Sequence, residues 1–255
     1  MSKPTERFTT TVQDYLKYRP SYPHEVLQVL IEECGLSTQS TVADVGSGTG
    51  LFSKLLLDFG STVYAVEPNQ AMREAAEDFL KNYKNFYSID GTAEATTLPS
   101  QSIDLVTVGT AFHWFDPVKT KIEFKRILTS PGWVMLMWNV RNQEQSMLIR
   151  DYEELILKYG TDYRESNARK FDKTAVADFF SPNQMKVRSF KNIQIFDWQG
   201  LQGRLLSASY SLRPGDVNYD TMMQELKKIF NKYQHDGCVE FLYETKLYYG
   251  RLYKG

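Results

Sequence analysis

The chain has 255 residues, 42% of them hydrophobic and 24% charged, and its 30 basic residues nearly balance 31 acidic ones, for a formal net charge of −1. That length suits one substantial domain with its own core, with or without a lid-like insertion. The charge balance argues against a protein that grips long nucleic acid mainly through phosphate contacts, which require a basic surplus or a basic face. The only two cysteines, Cys34 and Cys238, are far apart and form no CxxC, so they read as reduced residues of a reducing compartment. His24, His113 and His235 are scattered without zinc-ligand spacing, and no metal is expected. The start, MSKPTERFTTTVQDYLKYRP, has no apolar stretch of signal-peptide length, and no run of about 18 apolar residues occurs. The expectation is a cytoplasmic protein with no membrane partner.

In chain order, the prolines Pro20 and Pro23 end any helix begun near Thr11. Val26, Leu27, Val29, Leu30 and Ile31 mark an amphipathic helix that closes near Gly35. The pattern then alternates: strand Thr41–Val45, helix Leu51–Phe59, strand Thr62–Val66, helix Gln70–Lys81, strand Phe86–Ile89, and strand Ile103–Val108. The last of these is apolar after Asp104, as a strand buried on both faces should be. A helix over Pro117–Leu128 takes Asp116 as N-cap and Pro117 at its first position. Strand Trp133–Trp138 follows. This alternation predicts a doubly wound, mostly parallel α/β sheet over residues 1–140, with helices on both faces.

Residues 141–190 read as a helical insertion (Met147–Tyr159, Lys173–Phe180) lying over the mouth of the sheet. Residues 191–255 read as strand Ile193–Trp198, short helix Leu201–Ser207, helix Tyr219–Tyr233 and the alternating strand Val239–Tyr249, which complete a seven-stranded sheet.

The informative stretch is Val42-Ala43-Asp44-Val45-Gly46-Ser47-Gly48-Thr49-Gly50. A strand enters a glycine-rich turn and then a helix. Glycines let the backbone turn sharply and a ligand approach it closely, and the helix N-terminus presents free N–H groups. A dinucleotide fingerprint, GxGxxG, would place its third glycine at position 51, which is Leu51. The spacing here is GxGxG. Glu67-Pro68 ends the second strand about 20 residues later, where a carboxylate accepts both hydroxyls of a ribose.

The GxGxG turn preceded by Asp44 resembles motif I of S-adenosylmethionine (SAM)-dependent methyltransferases. That resemblance implies that Gly46, Ser47, Gly48 and Gly50 wrap the amino-acid part of SAM while Asp44 reaches toward its ammonium. Asp90-Gly91-Thr92-Ala93-Glu94 with Leu98-Pro99 is similar to the family's G-D-A-x-x-L-P pattern, with Thr92 where the adenine-contacting Asp would fall. A Thr92 hydroxyl or the Ala93 backbone can take that contact. Met72 is similar to the apolar residue that packs on adenine, though Met also fills helix cores.

Further likenesses are Tyr15-Leu16-Lys17-Tyr18-Arg19-Pro20-Ser21-Tyr22-Pro23, similar to a Y-x-x-Y-R-P-x-Y-P leader, Ala111-Phe112-His113-Trp114-Phe115, Trp138-Asn139-Val140-Arg141, Ser209-Tyr210-Ser211-Leu212-Arg213 and Tyr243-Glu244-Thr245. On these the chain resembles the type-11-like branch of class I methyltransferases, near trans-aconitate- and cantharidin-type small-molecule enzymes. The resemblance implies SAM as cofactor and S-adenosylhomocysteine (SAH) as product, and the substrate hardly at all; a small-molecule acceptor and a monomer or homodimer are the expectations.

In a doubly wound sheet, reactive groups gather beyond the carboxyl ends of the strands. Gly109 and Thr110 end the fourth strand, beside the expected cofactor. His113 in the following loop is the candidate general base, or alternatively a histidine that shapes the pocket. Arg19 is the candidate partner of the SAM carboxylate, and Arg141 and Arg213 are further carboxylate partners. Tyr18, Trp114, Trp138, Asn139, Arg141 and Tyr210 are candidates to line the acceptor pocket. Three alternatives stand beside a small-molecule methyltransferase: a nucleic-acid or protein methyltransferase on the same core, a non-catalytic SAM-binding protein, and a nicotinamide oxidoreductase. Gly109-Thr110-Ala111-Phe112 stands where exocyclic-amine methyltransferases carry Asp/Asn-Pro-Pro-Tyr/Phe, and the GxGxG spacing disfavours the oxidoreductase.

Overall fold

The computed structural model describes residues 16–161, 163 and 173–253. Tyr15 and the helix expected near Thr11 lie outside them. The elements in order are α1 (His24–Cys34), β1 (Thr41–Val45), α2 (Leu51–Phe59), β2 (Thr62–Val66), α3 (Gln70–Leu80), β3 (Phe86–Ile89), β4 (Ile103–Gly109), α4 (Pro117–Ile127), β5 (Leu128–Arg141), α5 (Met147–Tyr159), α6 (Lys173–Phe180), β6 (Lys186–Phe196), α7 (Trp198–Leu206), α8 (Tyr219–Tyr233) and β7 (Val239–Arg251).

The seven strands form one sheet in the order β3-β2-β1-β4-β5-β7-β6. β1 to β5 run parallel, and β7 is antiparallel to both β5 and β6. The order reverses between β1 and β4, so the crevice beyond their carboxyl ends is where such a sheet receives a ligand. Both faces are covered. On one, Leu30 of α1 and Phe52 and Leu56 of α2 pack on Met135, Met137 and Tyr249. On the other, Phe124 and Ile127 of α4 and Phe179 and Phe180 of α6 pack on Val106, Leu136 and Trp138. The local signals behave as read: Gly35 takes a left-handed φ of 76° to close α1, and Asp116 accepts from the N–H of Val118 and Lys119 at 3.0 and 3.1 Å to start α4. No described helix is long and apolar enough to cross a membrane.

Three expectations need correction. β5 begins at Leu128 rather than Trp133, because Leu128 pairs with Ile103 and the register shift before Leu105 absorbs Pro131 and Gly132. β6 spans Lys186–Phe196 rather than 193–198. It is an edge strand, mostly exposed, and its Lys186 and Arg188 pair with Glu33 of α1 at 2.7 and 3.1 Å. Charges of this kind guard sheet edges and hide the strand alternation. It stops where Asp197 caps α7 by accepting from the Gly200 N–H at 2.7 Å, which puts Trp198 in a helix. Finally, α6 packs its apolar face (Val176, Phe179, Phe180) against Phe112 and Phe124 on the sheet face, rather than over the strand ends.

The strand ends on that side are instead extended by β5 and the antiparallel β6–β7 pair, on which α5, α7 and α8 build a second apolar cluster containing Ile149, Tyr152, Leu201, Leu226 and Phe241. Inside this cap Arg141 forms a short ion pair with Glu153 and donates to the hydroxyls of Tyr163 at 2.6 Å and Tyr210 at 3.2 Å. Tyr163 in turn donates to Glu153 at 2.5 Å. Both charged groups are over nine-tenths buried. Removing one member of such a pair strands the other in an apolar interior. A Glu153→Gln variant is therefore expected to lose about 3–5 kcal/mol of stability in urea denaturation, and a loss below about 1 kcal/mol would show that Arg141 is compensated elsewhere.

Candidate functional site

The turn after β1 is shaped by three left-handed glycines, Gly46, Gly48 and Gly50, with φ of 67°, 57° and 80°. At two of them a side chain would also collide with neighbours. A Cβ on Gly46 would stand 2.6 Å from that of Ala111, and one on Gly50 would stand 2.7 Å from Leu80. Gly50 directly precedes α2, so the first N–H groups of that helix face the turn.

Two side chains from neighbouring strands hold the turn. Glu67, at the end of β2, accepts from the Gly48 N–H at 3.0 Å through one carboxylate oxygen and from the Asn69 N–H at 2.9 Å through the other. Burial raises its carboxyl above the ordinary range, against the pull of those two N–H donors. Asp44 is fully enclosed and accepts from Ser53 Oγ at 2.6 Å and Thr107 Oγ1 at 3.0 Å. Desolvation pushes its carboxyl up to about 6 even so.

Two adjoining cavities open beside the turn and share Gly46, Gly48, Gly109 and Thr110 as their common wall. The first is lined on one side by Glu67, Pro68, Asn69 and Met72, on the other by Thr92, Ala93 and Glu94, and is closed by Ala111, Trp114 and Phe115. The second contains Asp44, Ser47 and Thr49 from the core, Arg19 and Tyr22 from the leader, Asn139 from β5 and Arg204 from α7. Among the described residues, the buried hydroxyls of Ser47 and Thr49 have no hydrogen-bond partner, so this wall offers unused donors and acceptors.

The loop that carries Thr92, Ala93 and Glu94 is clamped from below. Glu123 of α4 accepts from the Thr96 N–H at 2.8 Å and its hydroxyl at 2.6 Å, and pairs with Arg126 at 2.7 Å. At the far wall Thr110 adopts a left-handed φ of 58°, and the Tyr22 hydroxyl lies 3.4 Å from its Oγ1. The Tyr22 hydroxyl would stand 2.6 Å from a Cβ on Gly109, so a side chain there would push the Tyr22 ring off β4.

Of the residues singled out from the sequence, Arg19, Asp44, Gly46, Ser47, Gly48, Glu67, Pro68, Met72, Thr92, Ala93, Glu94, Gly109, Thr110, Trp114 and Asn139 all line one cavity or the other. Gly50 lies behind them against Leu80. The remaining five line neither. Trp138 is buried between Phe112 and Tyr248 on the sheet face. Arg141 and Tyr210 are consumed in the cap. Tyr18 packs its ring directly on Gly203 of α7. His113 sits in the 3-10 turn Phe112–Trp114 with its ring 4.9 Å from that of Trp114. Arg213, the further carboxylate partner, donates to the carbonyls of Leu206 and Ala208 instead.

Asn69, Tyr22, Phe115 and Arg204 were missed. Tyr22 and Phe115 lie within recognised motifs. Arg204 left one signal, a charged residue on the apolar face of a short helix beside Leu201 and Leu205.

The comparisons follow this geometry. The family description "methyltransferase domain" (type 11) matches residues 43–136, the span from β1 into β5. Over that span the chain is similar to methyltransferase domains. An uncharacterized methyltransferase of Mycobacterium tuberculosis is 32% identical over 158 residues, a match that spans 62% of this chain and 62% of the relative's own length. The methyltransferase fold extends further than the sequence match. A chain assigned as a type II methyltransferase from Anaeromyxobacter dehalogenans superposes with a TM-score of 0.65 at 17% identity, covering 93% of this chain and all of that one. A Haemonchus contortus phosphoethanolamine N-methyltransferase, in complex with phosphomonomethylethanolamine and SAH, superposes with a TM-score of 0.54 at 14% identity over 98% of this chain and 58% of its own.

The Glu123 clamp gives a pH test. Arg126 and Thr96 hold the Glu123 carboxyl down at about 2, below its ordinary 4.5. A carboxyl depressed on folding contributes stability that is full above its unfolded value and fades as pH falls through the folded one. Glu123→Gln is thus expected to be less stable than the parent at pH 7, with the two converging between about pH 4.5 and pH 2. A gap that stays constant across that range would remove the clamp from the account.

Proposed function

We propose that the two cavities together bind SAM and that the chain transfers its methyl group to a small-molecule acceptor. The single observation that carries this reading is the Glu67 carboxylate, half-buried at the edge of the first cavity and already fixed to the glycine turn through Gly48. A carboxylate so placed suits the two hydroxyls of a ribose. Met72, Thr92 and Ala93 then flank the base, while Asp44, Ser47, Thr49 and Arg19 meet the methionine end. The unpartnered hydroxyls of Ser47 and Thr49 fit that polar group.

When bound, SAM supplies an electrophilic sulfonium methyl, so the protein needs no nucleophile of its own. The chain's task is to hold the acceptor atom in line with the sulfur and to exclude water. Trp114, Phe115 and Tyr22 supply apolar wall around the shared rim at Gly109 and Thr110. Charge lost in transfer to an anionic acceptor is favoured against such a wall. His113, packed on Trp114 and lining neither cavity, fits a residue that holds that wall better than one that takes a proton.

On the domain plan, residues 16–140 form the cofactor core, and α5, α7 and α8 form the acceptor side. Balanced charge supports a small-molecule partner over a nucleic acid, and the two free cysteines fit a reducing setting.

Isothermal calorimetry should register SAM and SAH binding, with no measurable affinity for NAD. Glu67→Ala should weaken SAH by about 2–4 kcal/mol, roughly 30- to 1,000-fold; an unchanged affinity would move the ribose elsewhere. Asp44 sets a second expectation. A cationic ammonium favours its ionised form, and the carboxyl takes up a proton as pH falls through about 6. SAM affinity should therefore decline below pH 6, by up to about tenfold per pH unit, and Asp44→Asn should abolish that dependence. A flat profile in the parent protein would place the ammonium away from Asp44.

A further inference from the structure

Residues 19–23 of the leader belong to no helix or strand, yet they supply Arg19 and Tyr22 to the second cavity. Their sequence, Arg19-Pro20-Ser21-Tyr22-Pro23, makes them stiff. Each proline ring fixes its own φ, and the residue before each proline is held to extended backbone. Arg19, Pro20, Tyr22 and Pro23 are all restricted in this way, which leaves Ser21 as the swivel of the stretch. The two side chains that reach the cavity lie on either side of it in the chain.

The prolines also lack the N–H that regular pairing with a strand requires. Side-chain amides of β6 take the leader carbonyls instead. Asn192 and Gln194 are two residues apart on that strand, so they share one face of the sheet. Gln194 Nε2 donates to the carbonyls of Tyr18 and Arg19 at 3.4 and 3.3 Å. Asn192 Nδ2 donates to the Ser21 carbonyl at 2.7 Å, and Asn139 Nδ2 reaches the same oxygen at 3.4 Å. On length the Asn192 bond is the strong one of the four, and it falls on the swivel.

Asn192 is itself held from behind. Its Nδ2 also donates to Asn139 Oδ1 at 3.1 Å, and that oxygen accepts from the Thr245 hydroxyl at 2.5 Å. Asn139 and Thr245 are cross-strand partners on β5 and β7, and Asn192 and Thr245 are both buried. A buried amide whose two N–H groups are spent on fixed acceptors has one orientation. Asn192 lines neither cavity and lies outside the span matched by the family.

We propose that Asn192 is a positioning residue of the cofactor site: by holding the Ser21 carbonyl it sets the leader's swivel and so places Arg19 and Tyr22 at the methionine end of SAM. This rests on the SAM-binding reading above. With the backbone set, Arg19 is aimed by the bond from its Nη2 to the Ser207 carbonyl at 3.1 Å. Tyr22 stands edge-on to Phe52, with ring centroids 4.9 Å apart, and its hydroxyl meets Thr110 at the rim.

The two cavities give this role a signature that general destabilisation lacks. The leader lines the second cavity and not the first. Loss of the clamp should therefore weaken a ligand with an amino-acid end and spare one that stops at the ribose. The test measures SAH by calorimetry and adenosine by ligand-observed NMR on the full chain. Asn192→Ala should lower SAH affinity roughly 5- to 30-fold while adenosine stays within about twofold. Asn192→Asp keeps the shape but turns an acceptor toward the carbonyl, and should lower SAH affinity at least as much. In an Arg19→Met background, Asn192→Ala should cost no more than about threefold, because a group that it positions is gone. The proposal is overturned if both Asn192 variants bind SAH as the parent does, if adenosine falls by the same factor as SAH, or if the loss is undiminished in the Arg19→Met background. If neither variant folds by circular dichroism, Asn192 is a determinant of the fold and the proposal fails as well. Absence of SAH binding in the parent chain would sink the methyltransferase reading and is a separate result.

Discussion

A backbone turn that only glycine permits underlies the whole site. Gly46 must pass within van der Waals reach of Ala111 on the loop after β4, and Gly50 must do the same against Leu80 of α3. Both positions also demand a left-handed φ. The turn therefore joins three parts of the sheet at its switch point: the end of β1, the loop after β4 and the helix beyond β2. Glu67 completes the junction by accepting from Gly48, which brings the carboxylate of β2 to the turn. A ligand entering here meets a prebuilt wall, so little ordering remains to be done on binding.

Around that junction the protein divides into a core and a cap with different electrostatics. In the core, acids dominate: Asp44 is buried beside two hydroxyls, Glu67 is half-buried against two N–H groups, and desolvation raises both carboxyls. In the cap, Arg141 takes Glu153 and the Tyr163 hydroxyl, while Arg204 donates to the Tyr243 hydroxyl. The second cavity lies between the two halves, with Asp44 on the core side and Arg204 on the cap side.

The core was largely legible because each element carried its own local signal. β1, β2 and β3 have the bounds read from the sequence, and the Asp116-Pro117 start of α4 is where the capping chemistry put it. The glycine spacing and Glu67 likewise led to residues that the fold gathers around one turn. The cap was less legible, since its order is set by tertiary pairing. β6 hides behind its edge lysine and arginine, and β5 absorbs a Pro-Gly pair in a register shift. Trp138 and Arg141 lie within the extended β5, where strand alternation turns Trp138 into the sheet face and the cap neutralises Arg141. Arg204 escaped notice because one charge on the apolar face of a short helix is a weak signal, and only tertiary packing brings it to the second cavity.

The most direct test is a crystal structure of the chain with SAH. The account predicts both ribose hydroxyls within hydrogen-bond distance of Glu67, the base between Met72 and Ala93, and the homocysteine carboxylate toward Arg19 with its sulfur at the rim formed by Gly109 and Thr110. A nucleoside whose sugar lay away from Glu67, or whose carboxylate sat on Arg204, would contradict it.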